Sequence, residues 1–103
     1  MTAYILTADA ESDLRSVIRY THAQWGAAQV RWYISALERG FANLAEGKGP
    51  FKDMRALYPA LRMARCEHHY VFCLLREDAP ALIVAIFHER MDLMKRLAGR
   101  LNE

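Results

Sequence analysis

Apolar and polar positions along this chain repeat with two different periods, and each change of period marks an element. Residues 3–6 are a short apolar run holding Tyr4 and Ile5, which predicts an opening strand. Thr7 can cap a helix after it, and Asp9, Glu11 and Asp13 put negative charge on the first turns, where the helix dipole favours it. Leu14, Val17, Ile18, Thr21 and Trp25 then recur at helical spacing, and Gly26 ends the run. Val30, Tyr33, Ile34, Leu37, Phe41 and Leu44 form a second apolar stripe running to about Glu46. So short a connection predicts an antiparallel helical hairpin with facing stripes. Gly40 inside the second helix is unfavourable by about 1 kcal/mol relative to Ala, which points to a close approach there.

Gly47-Lys48-Gly49-Pro50 is a stop signal, and residues 51–59 read as an irregular loop pinned to the core by Phe51, Met54, Leu57 and Tyr58. Beyond Pro59 the pattern is that of strands, at 61–67, 69–75 and 81–88, with turns at Glu67-His68 and at Glu77-Asp78-Ala79-Pro80. Residues 81–87 are apolar at every position, so the last strand is expected to be covered on both faces. A third helix closes the chain, with Met94, Leu97, Ala98 and Leu101 inward and Lys95, Arg96 and Arg100 toward its C-terminal half. Met91 extends that inward stripe, which is either core or a face shared with a partner. The order is β-α-α-β-β-β-α, an α+β fold with a helical hairpin on a small, mainly antiparallel sheet.

A length of 103 residues, 53% apolar, predicts one domain over 1–103 and excludes intrinsic disorder. No run approaches the ~18 apolar residues of a membrane span, and no signal peptide is visible, so a soluble, cytoplasmic protein is expected. The net charge of +2 is too small to indicate nucleic-acid binding. Its distribution is uneven. Residues 8–47 carry four Arg against Asp9, Glu11, Asp13, Glu38 and Glu46, whereas 48–65 carry Lys48, Lys52, Arg55, Arg62 and Arg65 against Asp53 alone. That cluster is a solvated face, or a site for an acidic partner or phosphate. Cys66 and Cys73 read as free thiols, with Cys66 opposite His69 across the hairpin. Of His68 and His69, one is expected to face solvent and the other the sheet. With the cysteines they lack the paired spacing of a zinc site. Trp25 and Trp32 either pack the hairpin or, if exposed, anchor a partner.

Several landmarks taken in order resemble the ParE toxins of the RelE/ParE superfamily, from type II toxin–antitoxin modules. They are Tyr4-Ile5-Leu6-Thr7 before Ala10-Glu11-Ser12-Asp13-Leu14, Ile18-Arg19-Tyr20 with Trp25-Gly26, and Gly49-Pro50-Phe51. Arg65-Cys66-Glu67-His68-His69-Tyr70-Val71-Phe72 and Ile86-Phe87-His88-Glu89-Arg90-Met91-Asp92 complete the set. The resemblance covers essentially the whole chain. It implies a RelE/ParE-like fold and a toxin that acts by binding DNA gyrase, with no cofactor, metal, membrane contact or sequence-specific nucleic-acid binding. It also implies neutralisation by a ParD-like antitoxin in a hetero-oligomer, wrapped over the helical hairpin and sheet; Leu14, Ile18, Trp25, Trp32, Arg62 and Arg65 are the candidate contacts. Arg90, Met91, Asp92 and Lys95, at the start of the last helix, are the candidates directed at gyrase.

RelE relatives instead cut messenger RNA in the ribosome, and the fold does not separate the two outcomes. Such cleavage needs an activated 2′-OH, a cation for developing charge and an acid for the leaving group. If this chain were a ribosome-dependent endoribonuclease, Arg65, His69 and His88 would be the candidates, with His88 and Arg65 paired as acid and charge clamp. His69 stands where the nucleases tend to carry a basic sheet residue, and a helix follows His88 in place of a catalytic aromatic tail. The residues therefore favour a binding toxin with no catalytic residue. A homologue that keeps antitoxin binding alone is the third reading.

Overall fold

The computed structural model describes residues 3–89 and 92–101. Its elements are β1 (Tyr4–Leu6), α1 (Ala8–Trp25), α2 (Ala27–Glu46), β2 (Lys52–Asp53), β3 (Leu61–Cys66), β4 (His69–Leu74), β5 (Ala81–His88) and α3 (Leu93–Leu101). Thr7 caps α1 as its sequence position predicts, its side chain accepting the Ala10 N–H at 3.1 Å. α1 ends at Gly26, and α2 begins at the next residue. The C-terminus of α2 is closed by Gly47 in the left-handed region, with the Gly47 N–H donating to the Leu44 carbonyl and the Lys48 N–H to that of Asn43. That is a Schellman closure, which satisfies carbonyls the helix itself leaves open. Gly40 lies where α2 crosses β3: a Cβ there would stand 2.2 Å from the Cys66 Sγ. The close approach expected from the glycine is real, and Cys66 is its partner.

The five strands lie in the order β1-β5-β4-β3-β2, with β1 parallel to β5 and every other pair antiparallel. Cys66 pairs with His69, as expected for a two-residue turn, and Glu67 in that turn takes a left-handed φ of 56°. The 51–59 segment differs from its expectation. It contributes the short β2, paired with Arg62 and Met63, and only Met54 packs on the core. Phe51, Leu57 and Tyr58 stay exposed in the segments that flank the edge strand β2.

The apolar run of β5 is covered on both faces. Ile83 and Ile86 join Val17, Leu37, Phe41 and Val71 beneath α1 and α2, while Val84, Ala85 and Phe87 join Leu61, Phe72 and Leu97 beneath α3. Alternation fails at Val84 because Phe72 pairs with Ala85 but Cys73 pairs with Ile83. Val84 is thus the extra residue of a β-bulge, and two consecutive side chains face α3. α3 is turned relative to expectation. Leu93, Leu97 and Leu101 face the sheet, whereas Met94 is 47% exposed and Ala98 faces solvent. The inward position between Leu97 and Leu101 is taken by Arg100, which makes polar contacts to Asp13 and to the Val84 carbonyl.

Candidate functional site

A concavity of about 580 Å³ lies between the helical hairpin and the β3–β4 turn. Tyr20 and Trp25 from α1 stand on it, Tyr33 reaches it from α2, and His68, His69 and His88 come from the sheet. Trp25 is 72% exposed and Trp32 is 51% exposed, so neither packs the hairpin and both present aromatic surface outward.

At the floor of the cleft the polar groups satisfy one another. The His68 backbone N–H donates to the Tyr33 hydroxyl at 3.1 Å, which leaves the phenol proton to go to His69 Nδ1 at 2.6 Å. That assignment puts the His69 hydrogen on Nε2 and keeps the ring neutral. Burial, with the neighbouring His88 and His68 imidazoles, lowers the His69 pKa from 6.5 to about 4. Burial likewise raises the Tyr33 phenol above its ordinary value. The His69 and His88 rings meet edge to face at 5.3 Å. As expected, His69 turns to the interior and His68 to solvent. Arg65 is not paired with His88. It donates to the Glu89 carboxylate and to the Glu67 carbonyl, and Glu89 also faces His68 Nδ1 at 3.4 Å.

The basic segment is largely compensated where it stands. Lys48 pairs with Glu46 at 2.9 Å and Arg55 with Asp53 at 3.7 Å. Arg62 donates to the Leu44 carbonyl and lies over the Phe51 ring. Arg62 thus faces α2, whereas Arg65 lies over Tyr70 on the opposite face of the sheet, so the two arginines do not form one patch. Leu14 and Ile18 are half-buried on α1, with Leu14 packed against the core. Of the residues directed at the start of α3, Asp92 caps the helix through the Lys95 N–H and Lys95 is exposed. Arg90 and Met91 lie outside the described residues, as Met91 does for the inward stripe of α3. Among the described residues no three metal-ligating side chains converge, and no helix is long and apolar enough to cross a membrane.

Sequence reasoning missed two groupings. Tyr33 was only a member of the α2 stripe, yet its hydroxyl organises the cleft floor. Asp13 and Arg100 were read as complements to helix dipoles, yet they bind each other across the molecule at 2.9 Å. Their separation of 87 residues leaves no local signal.

A family model described as the ParE toxin of the type II toxin–antitoxin system, parDE, matches residues 4–93. The chain belongs to the ParE toxin family. It is 74% identical over 102 residues to an Escherichia coli protein named Toxin ParE, covering 99% of each. A solved chain from a chromosomal ParDE toxin–antitoxin system of P. aeruginosa has the same fold, with a TM-score of 0.67 over 85% of this chain and 96% of that one. At 14% identity that likeness speaks for the architecture alone. This member of the family therefore has a helical hairpin and a third helix on a mostly antiparallel sheet, as its sequence predicts, with the short β2 as a fifth strand beyond the four expected.

Proposed function

We propose that this chain acts as one toxin domain over 1–103, inhibiting DNA gyrase in the cytoplasm by binding it, and that a ParD-like antitoxin neutralises it in a hetero-oligomer. The observation that carries binding over catalysis is that two of the groups a nuclease would use, His69 and Arg65, are already engaged. His69, with a pKa of about 4, is neutral at pH 7 and already accepts the Tyr33 proton. Arg65, the candidate charge clamp, is held by Glu89. A general acid or base works best with a pKa near the working pH and a free line to substrate. His69 meets neither condition.

The antitoxin is assigned to the hairpin side, where Trp25 and Trp32 are the exposed anchors, flanked by the accessible edges of Leu14 and Ile18 and by Arg62, with Arg65 met where the antitoxin continues around the sheet to its other face. Gyrase is assigned to the start of α3, with Asp92, Lys95 and the preceding Arg90 and Met91. The test runs purified toxin in parallel against gyrase with plasmid DNA and against programmed ribosomes with messenger RNA. Gyrase-dependent DNA breaks with intact message are expected, and His88→Ala and Arg65→Ala keep that activity. Codon-positioned cleavage of message, lost by roughly 10²–10⁴-fold in those variants, would replace this reading with the ribonuclease one.

A further inference from the structure

The polar underside of α3 is more elaborate than its apolar one. Only Leu97 of its nine residues is fully buried. Arg100, by contrast, makes a set of directed contacts. Its Nη1 donates to Asp13 Oδ2 at 2.9 Å and to the Val84 carbonyl at 2.8 Å, and its Nη2 to Asp13 Oδ1 at 3.3 Å. Its guanidinium carbon stands 5.1 Å from the centre of the Phe87 ring, and its Nε lies 3.7 Å from Asp9. Asp13 in turn accepts the Ile86 N–H at 3.0 Å. The two side chains are only 19% and 17% exposed.

The location explains the chemistry. β1 pairs with β5 only at Ala81, Leu82 and Ile83, so β5 runs on past its neighbour just where the Val84 bulge disturbs it. A strand edge left this way presents unpaired N–H and C=O groups. Here the Val84 carbonyl goes to Arg100 and the Ile86 N–H to Asp13. Asp13 belongs to the helical layer on one face of the sheet and Arg100 to α3 on the other. The ion pair joins the two layers around the open edge.

We propose that the Asp13–Arg100 pair is the latch that seats α3, and that Arg100 is a positioning residue for the gyrase-directed surface of that helix. A nine-residue helix is not stable alone in water, so α3 exists as a helix only while docked. Arg100 also sets its rotation: by occupying the inward position it leaves Met94 and Lys95 facing solvent. Removing one partner of so covered a pair leaves the other charge uncompensated, a large effect compared with losing a surface ion pair. The latch stands on the contacts alone; only its consequence for toxicity rests on the proposed action at gyrase.

The test measures amide hydrogen exchange on the full chain and its Arg100→Gln, Asp13→Asn and Arg100→Lys variants, beside inhibition of purified gyrase acting on plasmid. In the two neutral variants the α3 amides should exchange on the order of 10–100-fold faster while those of β4 keep their protection. Arg100→Lys should fall between, since one ammonium cannot reproduce the forked contact. Should a neutral variant lose β4 protection as well, the exchange of α3 in Arg100→Lys decides. The concentration needed for gyrase inhibition should rise at least about tenfold in step with α3 exchange. Unchanged α3 protection would overturn the latch. Faster α3 exchange with undiminished inhibition would overturn the positioning role. A wild-type chain inactive on gyrase would remove the proposed function and that role with it, while the exchange rates would still decide the latch.

Discussion

The Tyr33 hydroxyl stands between a donor and an acceptor: it accepts the His68 N–H and donates its own hydrogen to His69 Nδ1. This arrangement needs a neutral His69, and the surroundings enforce it by burial first and by the neighbouring imidazoles second. A histidine whose folded pKa lies below its unfolded one takes up its proton more readily when unfolded. The stability it contributes is therefore complete above about pH 6.5 and is lost as pH falls toward 4. The loss from this one residue should be on the order of 1–3 kcal/mol. Urea unfolding at about pH 7 and about pH 4.5 should show the wild type losing more than His69→Gln, whose amide oxygen can still accept from Tyr33. Equal losses in the two proteins would show that His69 is not the source. The same low basicity, with Nδ1 already accepting from Tyr33, makes His69 a weak general base at neutral pH.

At the scale of elements, α1 and α2 are specified locally, by a side-chain cap at one end, Gly26 between them and a glycine closure at the other. α3 has no such independence, and its rotation is decided by what it docks on. The periodicity of Met94, Leu97, Ala98 and Leu101 suits an inward stripe, but the docked helix uses Leu93, Leu97 and Leu101 with Arg100 among them. Leu97→Ala should destabilise by about 2–5 kcal/mol, since it opens a cavity over Phe72 and Phe87. Met94→Ala should change stability by no more than about 0.5 kcal/mol. Chemical denaturation of the two variants separates the phases; equal costs would mean that the helix docks a residue out of step. Deleting α3 outright is the poorer experiment, because it bares Leu61, Phe72, Val84 and Phe87 along with removing the helix.

Across the whole molecule, charge is less polarised than its order in the chain suggests, because Glu46, Asp53 and Glu89 sit beside Lys48, Arg55 and Arg65. Exposed pairs of this kind contribute little to stability, but they blunt the field that a basic segment would otherwise project. Recognition by an antitoxin should then rest more on aromatic anchors than on charge. Trp25→Ala is expected to weaken antitoxin binding by about 2 kcal/mol or more, roughly thirtyfold in Kd, by titration calorimetry. Its unfolding midpoint should not move, because the side chain is mostly in solvent. An unchanged Kd would place the antitoxin elsewhere on the surface.

The amino-acid sequence by itself determined the order of every element but the short β2, the caps, the close approach at Gly40, the Cys66–His69 register and the covered β5. Each of these follows from residues near one another in the chain, through side-chain period, turn geometry or helix-end chemistry. The motifs in their order were also enough to indicate the ParE family, which the family model and the relative from Escherichia coli show. Tertiary structure alone decided that β1 runs parallel to β5, that β5 bulges at Val84 and that Arg65 turns to Glu89. It also decided that Trp25 and Trp32 face solvent, which their helical spacing left open. The Asp13–Arg100 contact shows why such features were not legible. Either residue at a helix end is accounted for by the dipole, and only the open edge of β5, formed when distant segments pair, creates the backbone groups that draw them together.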